Sequence, residues 1–141
     1  MKPPETLLNK KVKAYTLTEI LVVLVIIGIL VLLALPNLLP QITKAKAMEA
    51  KLQLEHLQTL EKNYFYEHSK YTKDLTELGF IQEKLVTEGD GGHANYRIEV
   101  TDATNSGFTG RATAVVDFNQ NGTFNAWQID QNKDLKEVTP D

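Results

Sequence analysis

Ile20 to Leu35 reads ILVVLVIIGILVLLAL, sixteen consecutive residues without a charge or a hydrogen-bonding side chain. No soluble domain drawn from a 141-residue chain needs such a stretch for its own core. In the first fourteen residues, Lys2, Lys10, Lys11 and Lys13 stand against Glu5, a net +3 that leaves −6 for the rest of the chain. A basic stretch followed by an apolar run is read by a translocation machine as a cytoplasmic start and a membrane insert. A secretory signal cut beyond the run would need small residues there, and Leu33-Ala34-Leu35-Pro36 offers bulky leucines. A plain uncleaved anchor is short: sixteen helical residues rise about 24 Å against a hydrocarbon core of about 30 Å. Tyr15, Leu17, Leu38 and Leu39 extend the run on its flanks.

Glu19 touches the apolar run directly. An ionised side chain within a bilayer costs roughly 2.5–3.5 kcal/mol, so it marks a functional site that needs a partner unless it stays solvated at headgroup level. By position alone both readings of Glu19 stand.

Lys-Val-Lys-Ala at 11–14, Tyr-Thr-Leu-Thr-Glu at 15–19, the apolar run and Pro36 together resemble the class III signal and first helix of type IV pilins and type II secretion pseudopilins. The match covers residues 10–40 and loosens beyond. Ala14 stands where the family usually has Gly, and Tyr15 where it usually has Phe. Alanine is still small, and tyrosine keeps the ring. The resemblance implies that a prepilin peptidase cuts between Ala14 and Tyr15, that the new amine on Tyr15 is methylated, and that the apolar run stays on the mature protein. It further implies that Glu19 of an incoming subunit meets that amine on a neighbour, and that the segment around Pro36 loosens on polymerisation. The physical argument runs the same way. A free α-amine, with a reference pKa near ~7.7, is largely cationic at neutral pH. An opposite charge at contact in a low-dielectric bundle attracts it far more than in water. Such a pair sets axial register, because apolar surfaces alone slide.

The run is apolar on every side, so it exchanges lipid neighbours for copies of itself with little hydrophobic change. Gly28 either permits close helix approach or is a tolerated lone glycine. Pro36 and Pro40 each remove a backbone donor and predict a kink where the helix leaves the bilayer, with Pro40 either a second hinge or an interfacial residue.

From Gln41 to about Tyr66 the pattern becomes amphipathic. Ala47, Ala50, Leu54, Leu57 and Tyr64 follow three- and four-residue steps with Leu60 beside them, while Lys44, Lys46, Lys51, Glu55, Glu61 and Lys62 are assigned to other faces. Tyr64, Phe65, Tyr66 and Tyr71 predict aromatic packing at the helix end, and Leu75, Leu78 and Gly79 a short turn. Residues 87–94 form a polar, glycine-rich loop. Strands are expected at Tyr96–Val100, Phe108–Val116 and Phe124–Ile129, with Asn121-Gly122 as a hairpin turn, and a short last strand holding Leu135 and Val138 follows a turn at Asp130–Asp134. The expected fold is α+β: a long amino-terminal spine, membrane-spanning in its first half, packed on a small antiparallel head. Its segments are a leader 1–14 that is removed, a polymerisation helix 15–40, an amphipathic helix 41–66, a connecting region 67–94 and a β-meander 95–141.

Asp117, Asn119, Asn121 and Gly122 match the first half of a calcium loop, but the twelfth position is Gln128 rather than a bidentate Glu, and a plain turn competes with a calcium site. There are no cysteines, which excludes disulfides and thiol chemistry. His56, His68 and His93 are dispersed, and no nucleophile–base spacing or phosphate loop is present, so no enzyme is expected. The anionic remainder argues against nucleic acid. The expected partners are copies of the chain in a helical filament, the prepilin peptidase, an inner-membrane assembly platform and membrane lipid. The filament is a type IV pilus or pilus-like fibre periplasmic or extracellular to an inner membrane. The alternatives are a pseudopilin of a type II secretion system and, of another class, a membrane-anchored ligand- or calcium-binding domain that never polymerises.

Overall fold

A computed structural model describes residues 14–141. The expected leader, Ala14 apart, lies outside the described residues. The chain divides into two compact units at Asn37/Leu38. Helix α1, Leu17–His68, contributes to both.

α1 is assigned as helix through Pro36 and Pro40, so the prolines do not interrupt it. Each proline removes only one donor, and leucines and alanine around them keep the flanking turns helical. The helix ends two residues beyond the expected Tyr66. His68 is its last residue, Ser69 turns left-handed at φ 58°, and the Ser69 N–H still donates to the Phe65 carbonyl at 2.8 Å.

Within the second unit α1 packs on a four-stranded antiparallel meander. The strands are β1 Tyr96–Ala103, β2 Phe108–Ala114, β3 Ala126–Asp130 and β4 Leu135–Thr139, in the order β1-β2-β3-β4. The alternation reads inward at Tyr96, Ile98 and Val100 of β1, at Phe108, Ala112 and Ala114 of β2, and at Ile129 of β3. Against them lie Ala50, Leu54 and Leu57 of α1. The approach is closest at Gly110, where a Cβ would stand 2.7 Å from Leu57 Cδ2. Glycine is what lets the helix sit that low on the sheet.

Two side chains finish the free side of β1. Gln82 Oε1 accepts from the Ile98 N–H at 2.8 Å, and its Nε2 donates to the Tyr96 carbonyl at 3.2 Å, standing in for a neighbouring strand. Glu49 of α1 accepts from the Asn95 N–H and its side-chain amide, both at 2.8 Å, and fastens the start of β1 to the helix. Between α1 and β1 a short helix, α2 Leu75–Leu78, is capped by Asp74 and closed by Gly79 at φ 73°.

The tight hairpin expected at Asn121-Gly122 is not formed. β2 ends at Ala114 and β3 begins at Ala126, so residues 115–125 are a loop, and Phe124 is 47% exposed. A two-residue type I′ turn needs both central residues at positive φ, whereas here Gln120 (61°) and Gly122 (88°) hold it. Asp117 decides the matter: its carboxylate accepts from the backbone of Gln120, Asn121 and Gly122 at 2.7, 3.3 and 2.7 Å. Those amides are thereby withdrawn from any strand ladder.

Candidate assembly site

The start of α1 is built by two side chains that exchange bonds. The Thr16 N–H donates to Glu19 Oε2 at 2.8 Å, and the Glu19 N–H donates to Thr16 Oγ1 at 3.3 Å. This is a capping box, and it satisfies two amide donors that the first helical turn would otherwise orphan. Its signature is Thr-x-x-Glu ahead of an apolar run at Thr16–Glu19, whereas sequence reasoning weighs Glu19 as a membrane charge and as the partner of a neighbour's amine, not as a cap. The box holds the carboxylate at the amino end of the helix, where the helix dipole also favours an anion. Ala14 and Tyr15 precede the helix outside any regular element, and Tyr15 is 80% exposed. The peptide bond between them is accessible, and Glu19 is placed one helical turn away.

From Ile20 to Leu35 every large apolar side chain is between 46% and 68% exposed. This is the one helix among the described residues long and apolar enough to cross a membrane. An all-round apolar surface of this kind is covered by lipid or by protein. Pro36 closes the run and is exposed as well. Nothing stands within 4 Å of a Cβ built on Gly28, which leaves both readings of that glycine open.

The calcium-like loop is braced by hydrogen bonds of its own. Besides the three amides on Asp117, Asn119 Oδ1 accepts from the Asn121 N–H at 3.0 Å and Asn121 Oδ1 from the Thr123 N–H at 2.7 Å. Gln128, at the twelfth position, sits in β3 opposite Arg111 and Lys136. The three residues named for calcium, Asp117, Asn119 and Asn121, thus each accept backbone donors in this structure. Among the described residues no group of three or more His, Cys, Asp or Glu gathers to hold a metal.

Residues 9–35 match the family described as the prokaryotic N-terminal methylation motif. The chain is also similar to the type IV major pilin protein PilA of Myxococcus xanthus (strain DK1622), 34% identical over 90 residues. Both similarities are to the type IV pilin family, at its amino-terminal motif and in one major pilin. The alignment takes in 64% of this chain and 38% of the relative, so the chain spans well under half the length of the pilin it matches. The fold agrees with the resemblance: a long amino-terminal helix against an antiparallel sheet, α+β.

The head holds two further polar groups that the sequence pattern concealed. Asn125 is fully buried and fully bonded. Its Oδ1 accepts from the Tyr96 hydroxyl at 2.7 Å and from Trp127 Nε1 at 2.8 Å, and its Nδ2 donates to Glu137 Oε1 at 2.6 Å and to the Thr139 carbonyl at 3.0 Å. It joins β1, β3 and β4 at one point.

The other is Glu61, which was expected on an outer face and is completely buried. Its position explains the correction. Leu54, Leu57, Gln58 and Glu61 step by three and four along α1, so the stripe that meets the head runs straight through Glu61. Oε2 accepts from the Thr72 N–H at 3.1 Å, while Oε1 is buried with no partner. Burial pushes the carboxyl up from 4.5 to about 7, against the opposing pull of the Thr72 amide. The Thr72 hydroxyl and the Tyr64 hydroxyl both donate to Glu77 Oε2, at 2.9 and 3.1 Å, so the segment after α1 is pinned by two carboxyl groups. The expected aromatic packing is found around this latch: Phe65 stacks on Tyr71 at 4.8 Å and Tyr71 meets Phe108 at 5.2 Å, whereas Tyr66 is 69% exposed.

Proposed function

We propose that this chain is a structural subunit of a type IV pilus or pilus-like filament. Prepilin peptidase hydrolyses the Ala14–Tyr15 bond, and the Tyr15 amine released is methylated. The apolar part of α1 anchors the subunit in the inner membrane until the assembly platform moves it into a periplasmic or extracellular fibre.

The observation that carries this reading is the capped carboxylate at the head of an apolar run, Ile20 to Leu35, with no buried side chain. Hydrolysis turns a neutral amide at Tyr15 into an ammonium group. Glu19 keeps one oxygen on the Thr16 N–H, and a carboxylate has lone pairs beyond that one bond. An ammonium from an adjacent copy supplies the missing charge. A buried carboxylate is costly alone and much less so when paired, so each subunit is held at one height relative to its neighbour. The apolar run meanwhile trades lipid for other helices. The similarity to a major pilin supports a pilus over the other fibres of this family.

Two measurements test the reading. The mass of the protein recovered from filaments is expected to show loss of residues 1–14 and gain of one methyl group. A Glu19→Ala variant is expected to insert into membranes normally and to yield no filaments when sheared cells are imaged by electron microscopy. An intact amino terminus on a monomeric protein would refute the reading, as would normal fibres from Glu19→Ala.

A further inference from the structure

Asn121-Gly122 is the chain's one Asn-Gly pair, and the hairpin expected of it does not form. The 115–125 loop instead gathers polar groups around the bond between these two exposed residues. Asp117 Oδ2 accepts from the Gly122 N–H at 2.7 Å. Asn121 Oδ1 accepts from two groups of Thr123, the N–H at 2.7 Å and the hydroxyl. A side-chain carbonyl bonded to the amide two residues on is folded back over the peptide that joins it to its neighbour. Gly122 sits at φ 88°, and nothing stands within 4 Å of a Cβ built there. Its nitrogen is open on the side that a β-carbon would shield.

These are the parts of an acyl-transfer site. The nucleophile is the Gly122 nitrogen and the electrophile is Asn121 Cγ. They belong to adjacent residues, so their union closes a five-membered ring with no further partner to bring in. An amide nitrogen attacks poorly while it keeps its proton. Here that proton already points at a carboxylate, where a general base must stand. As the bond forms, negative charge gathers on Asn121 Oδ1, and both donors of Thr123 are aimed at that atom.

We propose that the 117–123 loop is a self-modification site, in which Asp117 and Thr123 promote deamidation of Asn121 through a cyclic imide with Gly122. The Gly122 nitrogen bonds to Asn121 Cγ and passes its proton to Asp117. The proton moves on to Asn121 Nδ2, the Cγ–Nδ2 bond breaks, and ammonia leaves. Water then opens the imide. Opening at Cγ leaves aspartate in an unaltered chain, and opening at the backbone carbonyl leaves isoaspartate, with the chain routed through Cβ. Either product adds one negative charge beside Asp117 on the surface of the head. The loop thus carries a charge that grows with the age of the subunit, whether or not the subunit is in a filament.

The test ages the full chain in detergent micelles at neutral pH. Peptide mapping by mass spectrometry reads the exchange of an amide NH2 for OH at Asn121, and an isoaspartyl methyltransferase labels the isoaspartate fraction. The same chain in urea gives the rate of the Asn-Gly pair without its folded neighbours. Asn105-Ser106 is an internal comparison: it is exposed, but the Ser106 N–H donates to the Thr104 hydroxyl at 3.2 Å, which is no base. The folded chain is expected to convert Asn121 about tenfold faster than the chain in urea, with no such gain at Asn105. Asp117→Asn keeps an oxygen for the loop amides without the base, and is expected to remove the gain. Thr123→Val keeps the N–H donor and loses the hydroxyl, and is expected to lower the rate about threefold. Conversion in the folded chain no faster than in urea overturns the proposal, because the loop then only shields a labile pair. That comparison needs no variant, so it holds even where a substitution disturbs the loop. Fast conversion that persists in both variants overturns the roles of Asp117 and Thr123, and an equal gain at Asn105 overturns the site.

Discussion

Replacing Glu61 by glutamine is expected to change how the stability of the head depends on pH. In the wild type burial pushes the Glu61 carboxyl up to about 7, against an ordinary value of 4.5. A folded-state value raised above the unfolded one means that the folded protein holds a proton the unfolded chain has released. The stabilisation from that proton is full below about pH 4.5, declines as the pH climbs toward 7, and is gone above it. A span of two to three units corresponds to roughly 3–4 kcal/mol, of which roughly 2–3 kcal/mol is lost between pH 5 and pH 8. For a head of about a hundred residues that is a fall in melting temperature on the order of 10 °C between pH 5 and pH 8. Glutamine keeps an oxygen for the Thr72 N–H, puts an amide where Oε1 has no partner, and does not titrate. Glu61→Gln should therefore flatten the decline, matching the wild type to about 1 kcal/mol at pH 5 and exceeding it at pH 8. The assay is thermal unfolding of the full chain in detergent micelles, followed by fluorescence of Trp127, the only tryptophan, which sits half-buried in β3. Parallel wild-type and variant curves across pH 5–8 would refute the argument, since some other group would then carry the dependence.

Three further outcomes follow from the geometry. Thr16→Val removes the capping hydroxyl and is expected to cost the start of α1 about 1 kcal/mol, read as faster amide exchange at Leu17–Glu19. Because Glu19 remains, filaments should still form, and their loss would tie assembly to the cap rather than to the carboxylate. Gly110→Val forces a branched side chain against Leu57 and is expected to destabilise the head by roughly 1–3 kcal/mol in the same unfolding assay; unchanged stability would mean that α1 lifts from the sheet at no cost. Calorimetric titration of the full chain with millimolar calcium is expected to give no heat, and a saturable signal lost in Asp117→Asn would show that the 117–123 loop is a calcium site after all.

Some of this protein was legible in one dimension. The apolar run, the capping residues and the charge beside them are local facts, because the bilayer and a helix terminus read residues by type and spacing. The strands follow the same logic, since alternation at Tyr96–Val100 and Phe108–Ala114 is a property of consecutive residues. The tertiary structure alone decided which face each helical residue takes and which amides are available. Glu61 looked like a solvated charge until the head closed over the stripe it shares with Leu54 and Leu57. Asn121-Gly122 looked like a hairpin until Asp117 drew off the amides. That Leu38, Met48 and Leu52 stay exposed was decided only when the other side of α1 met the sheet. The physical reason is common to all three. Burial and hydrogen bonding depend on what approaches from elsewhere in the chain, and a periodicity that fits two faces of a helix does not say which one the sheet will cover.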